Sequence, residues 1–105
     1  MEIKLTRENY SREISDAGIA LVDFQADWCV YCRRIAPAVR ALAQEREDLR
    51  VLIADIDALP ELAAEYGVEA VPTFLLLRGG EVLDRMTAPE SKAALEAFVE
   101  GGRGR

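Results

Sequence analysis

The sequence contains no histidine and only two cysteines. Without imidazole groups, the chain cannot use a histidine base in catalysis or form metal sites that require histidine ligands. Its apolar runs are far shorter than the roughly 20 residues that a membrane-spanning helix needs. Residues 1–15 mix charged and apolar side chains, so they lack the apolar core of a signal peptide. We therefore expect a cytoplasmic protein without a membrane segment.

The charge balance is acidic, with a net charge of −6 and an isoelectric point of about 4.7. A chain of this charge repels phosphate backbones and anionic lipids, which argues against nucleic acid or membrane partners. Hydrophobic residues make up 50% of the chain, which is enough to form one core. We expect a single domain over residues 1–100, followed by a flexible tail over residues 101–105.

The pattern of hydrophobic residues predicts an α/β protein with the element order β-α-β-α-β-α-β-β-α. Crossover helices allow the early strands to pair in parallel, whereas Gly79-Gly80 predicts an antiparallel hairpin near the end. The expected fold is a mixed central β-sheet flanked by helices on both faces. Strands are predicted at residues 3–5, 19–24, 51–54, 73–77 and 81–86, and helices from a cap at Thr6 to about residue 17, from about residue 29 onward, over 61–66 and from 90 to about 99.

Cys29 and Cys32 directly follow the predicted strand at residues 19–24 and lie where the next helix begins. The N-terminus of a helix carries free N–H groups and a partial positive charge, which together stabilise a thiolate. The three-residue spacing places Cys32 one helical turn behind Cys29, within reach of a disulfide. We therefore expect Cys29, at the exposed tip, to be the nucleophile and Cys32 to be the resolving thiol.

A metal site is the alternative interpretation of this cysteine pair. Zinc or an iron–sulfur cluster normally requires four ligands, and the sequence has neither histidine nor further cysteines to complete the set. Only two copies of the chain that share one ion would satisfy such a site. Since a Cys-x-x-Cys after a strand in a βαβ pattern is typical of redox proteins, we expect no metal and no bound cofactor.

Asp23 lies between Val22 and Phe24, within the apolar residues of a predicted strand. Burying a carboxylate in a central strand is costly unless the group is neutral or has a partner. Desolvation would raise its pKa toward neutrality, which suits a base that accepts the proton of Cys32. A carboxylate at a frayed strand edge is the alternative.

Several segments of the sequence together resemble the thioredoxin family, and the resemblance extends over nearly the whole chain. The matching segments are residues 21–24 (Leu-Val-Asp-Phe), 26–29 (Ala-Asp-Trp-Cys), 35–37 (Ile-Ala-Pro), 66–68 (Tyr-Gly-Val), 71–73 (Val-Pro-Thr) and 80–82 (Gly-Glu-Val). This resemblance implies a thioredoxin-like fold and a protein-disulfide oxidoreductase. It also implies that Asp23 serves as a catalytic base beside Cys29 and Cys32.

The resemblance further implies which residues meet a substrate. Pro72 would be a cis-proline that faces the cysteines, and its backbone, with that of Val71, would pair with a bound substrate chain. Trp28 would cover the disulfide from one side, with simple core packing as its alternative. The implied substrate-binding residues are Trp28, Val30, Tyr31, Val71, Pro72 and Thr73.

The function expected from this resemblance is reduction or exchange of protein disulfides through a reversible Cys29–Cys32 disulfide. Electrons would come from a thioredoxin-reductase-like donor and pass to oxidised client proteins, which is a role in electron transport and cell redox homeostasis. The protein would act as a monomer. The alternative is a thioredoxin-like binding module, or a metal-sharing dimer, with little redox turnover.

The sequence departs from the usual family pattern at several positions. Val30-Tyr31 replaces Gly-Pro between the cysteines, and the Tyr31 N–H, which proline lacks, is expected to donate to the Cys29 thiolate. Ile53 replaces a lysine beside the buried aspartate, which should raise the pKa of that aspartate further. Gln25 occupies a position where the family usually has a second tryptophan. Thr87 lies near the position where the family usually has a glycine. Both differences bear on which reductase recognises the protein.

Overall fold

The computed structural model describes residues 1–103. No helix within this range is long and apolar enough to cross a membrane. Over the same residues the chain forms nine elements in the predicted order, namely β1 (Glu2–Lys4), α1 (Tyr10–Ser15), β2 (Ile19–Gln25), α2 (Val30–Glu45), β3 (Arg50–Asp55), α3 (Pro60–Glu65), β4 (Thr73–Arg78), β5 (Glu81–Thr87) and α4 (Lys92–Arg103).

The strands of residues 1–103 form one mixed sheet in the order β1-β3-β2-β4-β5. β3 pairs in parallel with β1 and β2, while β4 runs antiparallel to β2 and β5. β2 is therefore central and is paired along both edges. Asp23 lies in the middle of β2, opposite Ile53 of β3 and Phe74 of β4. This position rules out the frayed-edge alternative for Asp23.

Two hydrophobic cores lie on opposite faces of the sheet, because successive side chains of a strand point in opposite directions. Val22 and Phe24 belong to the core beneath α1 and α3. Leu21 belongs to the core beneath α2 and α4. Asp23 shares the parity of Leu21 and therefore faces α2. Helices cover both faces, so the predicted mixed α/β architecture is confirmed.

The hairpin between β4 and β5 turns through Gly79 and Gly80, as predicted. Their φ angles are +58° and +83°, in the left-handed region that residues with a Cβ atom rarely adopt. Arg78 and Glu81 pair on either side of this two-residue loop. The turn residues thus fix the register next to the loop, and a bulge between Leu76 and Leu77 shifts it farther along the strands.

Helix α1 is shorter than predicted and has a different cap. The prediction of Thr6 as the cap is wrong, since the N-cap residue is Asn9. Thr6 Oγ1 accepts the Asn9 N–H at 3.2 Å, and Asn9 Oδ1 accepts the Thr6 N–H at 2.8 Å. These reciprocal bonds close a turn that leads directly into α1, because the Tyr10 N–H donates to the Thr6 carbonyl oxygen at 3.0 Å.

Helix α4 is longer than predicted at its C-terminal end. The predicted boundary near residue 99 is replaced by a helix over Lys92–Arg103, so part of the predicted tail at residues 101–105 is helical. Gly102 is buried, and a Cβ atom there would lie 2.0 Å from Leu76 Cδ2. The glycine thus permits close packing on β4 rather than flexibility. Residues 104 and 105 lie outside the described residues.

Candidate functional site

Cys29 is the N-cap residue of α2, just beyond the carboxyl end of β2. Its sulfur accepts a hydrogen bond from the backbone N–H of Cys32, with 3.1 Å between Sγ and N. A sulfur in this position satisfies one free N–H group of the first turn, and the helix dipole favours negative charge there. The donor is Cys32 and not the predicted Tyr31, because the N-cap side chain here reaches the third amide of the helix.

Both cysteines are free thiols and both are buried. Cys29 is 7% exposed and Cys32 is 5% exposed, so the expected exposed tip is wrong. A small apolar cluster surrounds the two sulfurs and limits their contact with solvent. The residues packed around them are Ala26, Tyr31, Ile56 and Val71.

The loop that precedes β4 lies against the cysteine pair. The Val71-Pro72 peptide bond is cis, as the family resemblance implied. The carbonyl oxygen of Val71 lies 3.7 Å from Cys29 Sγ, and Pro72 is buried. Residues more than 40 positions apart in the chain are thus adjacent to the same sulfur.

Asp23 and Cys32 both have raised pKa values, and burial is the main cause for each. Burial raises the pKa of the Cys32 thiol to about 12, and its hydrogen bond with Cys29 adds to the rise. Burial also raises the pKa of Asp23 from 3.8 to about 7, and the negative charge of Glu2 adds to it. Asp23 Oδ1 is buried and has no hydrogen-bond partner among the described residues. Near neutral pH the thiol therefore carries a proton that the carboxylate can accept.

Asp23 and Cys32 line one cavity of about 170 Å³. A cavity of this size with polar walls has room for water, which can carry a proton between the thiol, the carboxyl group and solvent. Ile53 gives Asp23 an apolar neighbour on β3, as the sequence indicated. The residues that line the cavity are Glu2, Asp23, Gln25, Cys32, Ala36, Val39, Arg40 and Ile53.

Trp28 and Val30 place apolar side chains on the surface beside the cysteines. Trp28 is 64% exposed and Val30 is 55% exposed, so the core-packing alternative for Trp28 is excluded. The Trp28 Nε1–H donates to Asp57 Oδ2 at 2.9 Å, which holds the indole at the surface. Large apolar side chains exposed next to one another are typical of a binding surface.

Two other residues expected to bind substrate are engaged within the protein. The Tyr31 hydroxyl donates to the carbonyl oxygen of Pro89 at 2.5 Å. Thr73 is buried, and its hydroxyl donates to the carbonyl oxygen of Ala70 at 2.6 Å. Tyr31 therefore presents its ring rather than its hydroxyl, and the side chain of Thr73 is not at the surface.

Glu2 and Arg40 also line the cavity with Asp23, although no sequence pattern indicated them as site residues. Glu2 alternates with Ile3 along β1, so the strand prediction alone placed it on the opposite face from that apolar residue. The sequence does not show that β1 pairs with β3, which in turn pairs with the strand of Asp23. This pairing places Glu2 on the same face of the sheet as Asp23. Within residues 1–103 no group of three or more histidine, cysteine, aspartate or glutamate side chains is arranged to hold a metal ion.

Comparisons with known proteins agree with this geometry. The family model for thioredoxin matches residues 1–101. The thioredoxin of Bacillus subtilis is 40% identical over 98 residues, which cover 92% of this chain and 93% of that protein. Thioredoxin 1 of a Nostoc species is 32% identical over 99 residues, which cover 92% of each chain. The X-ray structure of Fasciola hepatica thioredoxin superimposes with a TM-score of 0.86 at 33% identity, over 97% of this chain and 99% of that one.

Proposed function

This chain belongs to the thioredoxin family and is a thiol–disulfide oxidoreductase, and we propose that Cys29 and Cys32 carry its reaction. The predicted family, fold and enzyme class are thereby confirmed. Members of the family act on oxidised proteins and are reduced by thioredoxin reductase. The observation that carries the assignment is the Cys29 sulfur at the start of α2, which accepts the N–H of Cys32.

The reaction proceeds in two exchanges of sulfur bonds. The Cys29 thiolate attacks one sulfur of a client disulfide, and the other client sulfur leaves as a thiolate. The client is then bound to Cys29 through a mixed disulfide. The Cys32 thiolate attacks the Cys29 sulfur, which releases the second client sulfur and forms the Cys29–Cys32 disulfide. Two electrons pass from the protein dithiol to the client.

Asp23 is the base for the second exchange in this proposal. The Cys32 thiol must lose its proton before it attacks, and its raised pKa of about 12 keeps it protonated at neutral pH. Asp23 lines the same cavity, has a pKa of about 7 and lacks a hydrogen-bond partner for Oδ1 among the described residues. A carboxylate with that pKa can accept the proton near neutral pH and return it to solvent.

The client chain is proposed to lie across the exposed side chains of Trp28 and Val30, next to the ring of Tyr31. The backbone of Val71 and Pro72 would pair with it, since the Val71 carbonyl already lies beside the Cys29 sulfur. Apolar side chains beside a backbone edge fit an extended peptide of varied sequence. Thr73 would contribute through its position after Pro72 and not through its hydroxyl, which binds Ala70.

A monomeric, cytoplasmic protein reduced by a thioredoxin-reductase-like donor completes the proposal. The only cysteines of the sequence are those of the reactive pair, so the fold relies on no structural disulfide, which suits a reducing compartment. A family match over residues 1–101 fits a single domain. Gel filtration and cell fractionation test the oligomeric state and the location.

Reduction of insulin by dithiothreitol tests the roles of the two cysteines. We expect catalytic amounts of the protein to accelerate the reduction, and Cys29→Ser to abolish the acceleration because the nucleophile is lost. Cys32→Ser, reduced and then freed of dithiothreitol before insulin is added, should instead accumulate a mixed disulfide with insulin, visible on a non-reducing gel, because resolution is blocked. Full acceleration by Cys29→Ser would contradict the proposal and favour a binding module.

A further inference from the structure

The cavity beside Asp23 reaches from the protein interior to the surface. Asp23 and Cys32 are buried, whereas Glu2 and Arg40 are exposed, and all four side chains line the cavity. Glu2 lies on the edge strand β1, which is separated from β2 by β3 alone. The register places Glu2 opposite Val51, and Asp23 opposite Ile53. These positions have the same parity, so Glu2 and Asp23 project from the same face of the sheet.

Several elements pack around Asp23, but only some of their charged side chains line the cavity that it shares. Lys4 shares the face of Glu2 on β1, but its side chain does not line the cavity. Arg40 lines the cavity from α2. The neighbours of Asp23 on β3 and β4 are apolar, which leaves Glu2 as the anion that shares the cavity with it. The groups that face Asp23 are Glu2 and Lys4 on β1, Cys32 and Arg40 on α2, Ile53 on β3 and Phe74 on β4.

We propose that Glu2 is a positioning residue for the resolving step, whose negative charge across the cavity makes Asp23 hold its proton more tightly. The inference rests on the proposed role of Asp23 as the base. A nearby negative charge favours the protonated, neutral form of a carboxyl group, because two like charges in one cavity repel each other. Burial already raises the pKa of Asp23, and the charge of Glu2 raises it in the same direction.

The proton balance of the step shows what Glu2 controls. Cys32 gives its proton to the Asp23 carboxylate, the resulting thiolate attacks the Cys29 sulfur, and the client thiolate leaves. Asp23 then returns its proton to solvent through the cavity. Only the ionised fraction of Asp23 can accept the proton, so a charge that favours the protonated form moves the resolving step to higher pH.

The resolving step can be followed in the reaction of the reduced protein with 5,5′-dithiobis(2-nitrobenzoate). Excess reagent forms the mixed disulfide at Cys29 first, and the second coloured thiolate appears when Cys32 attacks. For the wild type we expect the rate of this second phase to rise with pH through the titration of Asp23. Glu2→Gln should move the midpoint down by roughly half a pH unit, because the neighbouring negative charge is gone. At pH 6 the variant should then resolve roughly two to three times faster than the wild type.

Two further variants separate a charge effect from a structural one. Glu2→Asp keeps the charge and should retain a midpoint close to that of the wild type. Glu81→Gln makes the same chemical change on β5, the other edge strand, where the side chain is exposed, and should leave the midpoint unchanged. A shift as large in Glu81→Gln as in Glu2→Gln would overturn the inference, since net charge alone would then explain it.

Asp23→Asn distinguishes failure of the inference from failure of the proposed function. We expect this variant to lose the titration and to resolve slowly near neutral pH. If Asp23→Asn behaves in that way while Glu2→Gln keeps the wild-type midpoint, Asp23 is the base and the role of Glu2 is refuted. If Asp23→Asn keeps the wild-type profile, the proposed base is wrong and the inference about Glu2 falls with it.

Discussion

Cys29 and Cys32 lie one helical turn apart, yet their sulfurs have different surroundings. Cys29 Sγ accepts the N–H of Cys32 at the helix terminus and lies 3.7 Å from the Val71 carbonyl oxygen. Cys32 lies inside the first turn, where burial raises its pKa to about 12. The helix terminus thus favours an anion at the first sulfur, whereas the second needs a base. This division is what an ordered pair of sulfur exchanges requires.

Tyr31, between the cysteines, connects the start of α2 to the loop before α4. Its hydroxyl donates to the carbonyl oxygen of Pro89 at 2.5 Å in partly buried surroundings. Tyr31→Phe should lower the free energy of unfolding by about 1 kcal/mol, because the carbonyl loses its partner. Urea denaturation measures this loss. Tyr10→Phe, at a half-buried tyrosine on α1, is the control. An equal loss of stability in both variants would show that the Tyr31–Pro89 hydrogen bond does not stabilise the fold.

At the scale of single residues, the sequence was sufficient where the signal is local. The spacing of Cys29 and Cys32 after an apolar strand predicted the helix terminus, and the apolar neighbours of Asp23 predicted its burial. The Cys32 donor was missed because it depends on the rotamer of an N-cap side chain. Glu2 was missed because its place beside Asp23 depends on strand pairing, which adjacent residues do not encode.

At the scale of elements, strands were predicted more accurately than helix ends. Continuous apolar runs such as those of β2 and β4 have few interpretations other than a buried strand. The ends of α1 and α4 depended on side-chain contacts. The N-cap is Asn9 rather than Thr6, although the two residues bind each other ahead of the helix. Gly102 packs on β4, although the sequence indicated a tail there.

The last turn of α4 gives a prediction of its own. A Cβ atom at Gly102 would lie 2.0 Å from Leu76 Cδ2, and Leu76 is fully buried, so Gly102→Ala forces the core to shift. Such overpacking typically costs about 1–3 kcal/mol, which exceeds the gain of about 1 kcal/mol from the better helix propensity of alanine.

Gly101→Ala is the matched control for this prediction. A Cβ atom at Gly101 meets nothing within 4 Å, so this variant should be neutral or slightly more stable than the wild type. Thermal unfolding of both variants provides the comparison. Equal stability of the two variants would show that α4 does not pack on β4 at its last turn.

At the scale of the whole molecule, the buried carboxyl group of Asp23 lowers the stability of the fold relative to an apolar residue at the same position. Asp23 occupies the centre of the middle strand, where an apolar residue would add to the packing beneath α2. The surrounding sheet and helices bury most of the carboxyl group there, and that burial raises its pKa to the range that the proposed base requires. Function at this site is therefore coupled to the stability of the entire fold.

That coupling predicts how stability depends on pH. The pKa of Asp23 is about 7 in the folded protein, compared with 3.8 for a solvated aspartate. Below 3.8 both states are protonated and the group costs no stability, whereas between 3.8 and 7 the unfolded state ionises first, so stability falls as pH rises. Above that range the accumulated cost is roughly 4 kcal/mol.

Urea denaturation of the wild type and Asp23→Asn at pH 4 and pH 8 measures this cost. The other titrating groups are common to both proteins, and the packing cost of the amide does not depend on pH, so both cancel in the change of the stability difference. Asp23→Asn should gain several kcal/mol relative to the wild type between the two pH values. If the difference stayed constant, Asp23 would titrate alike in the folded and unfolded chains. A carboxyl group with that behaviour is hydrated, and it would lack the raised pKa on which the resolving step depends.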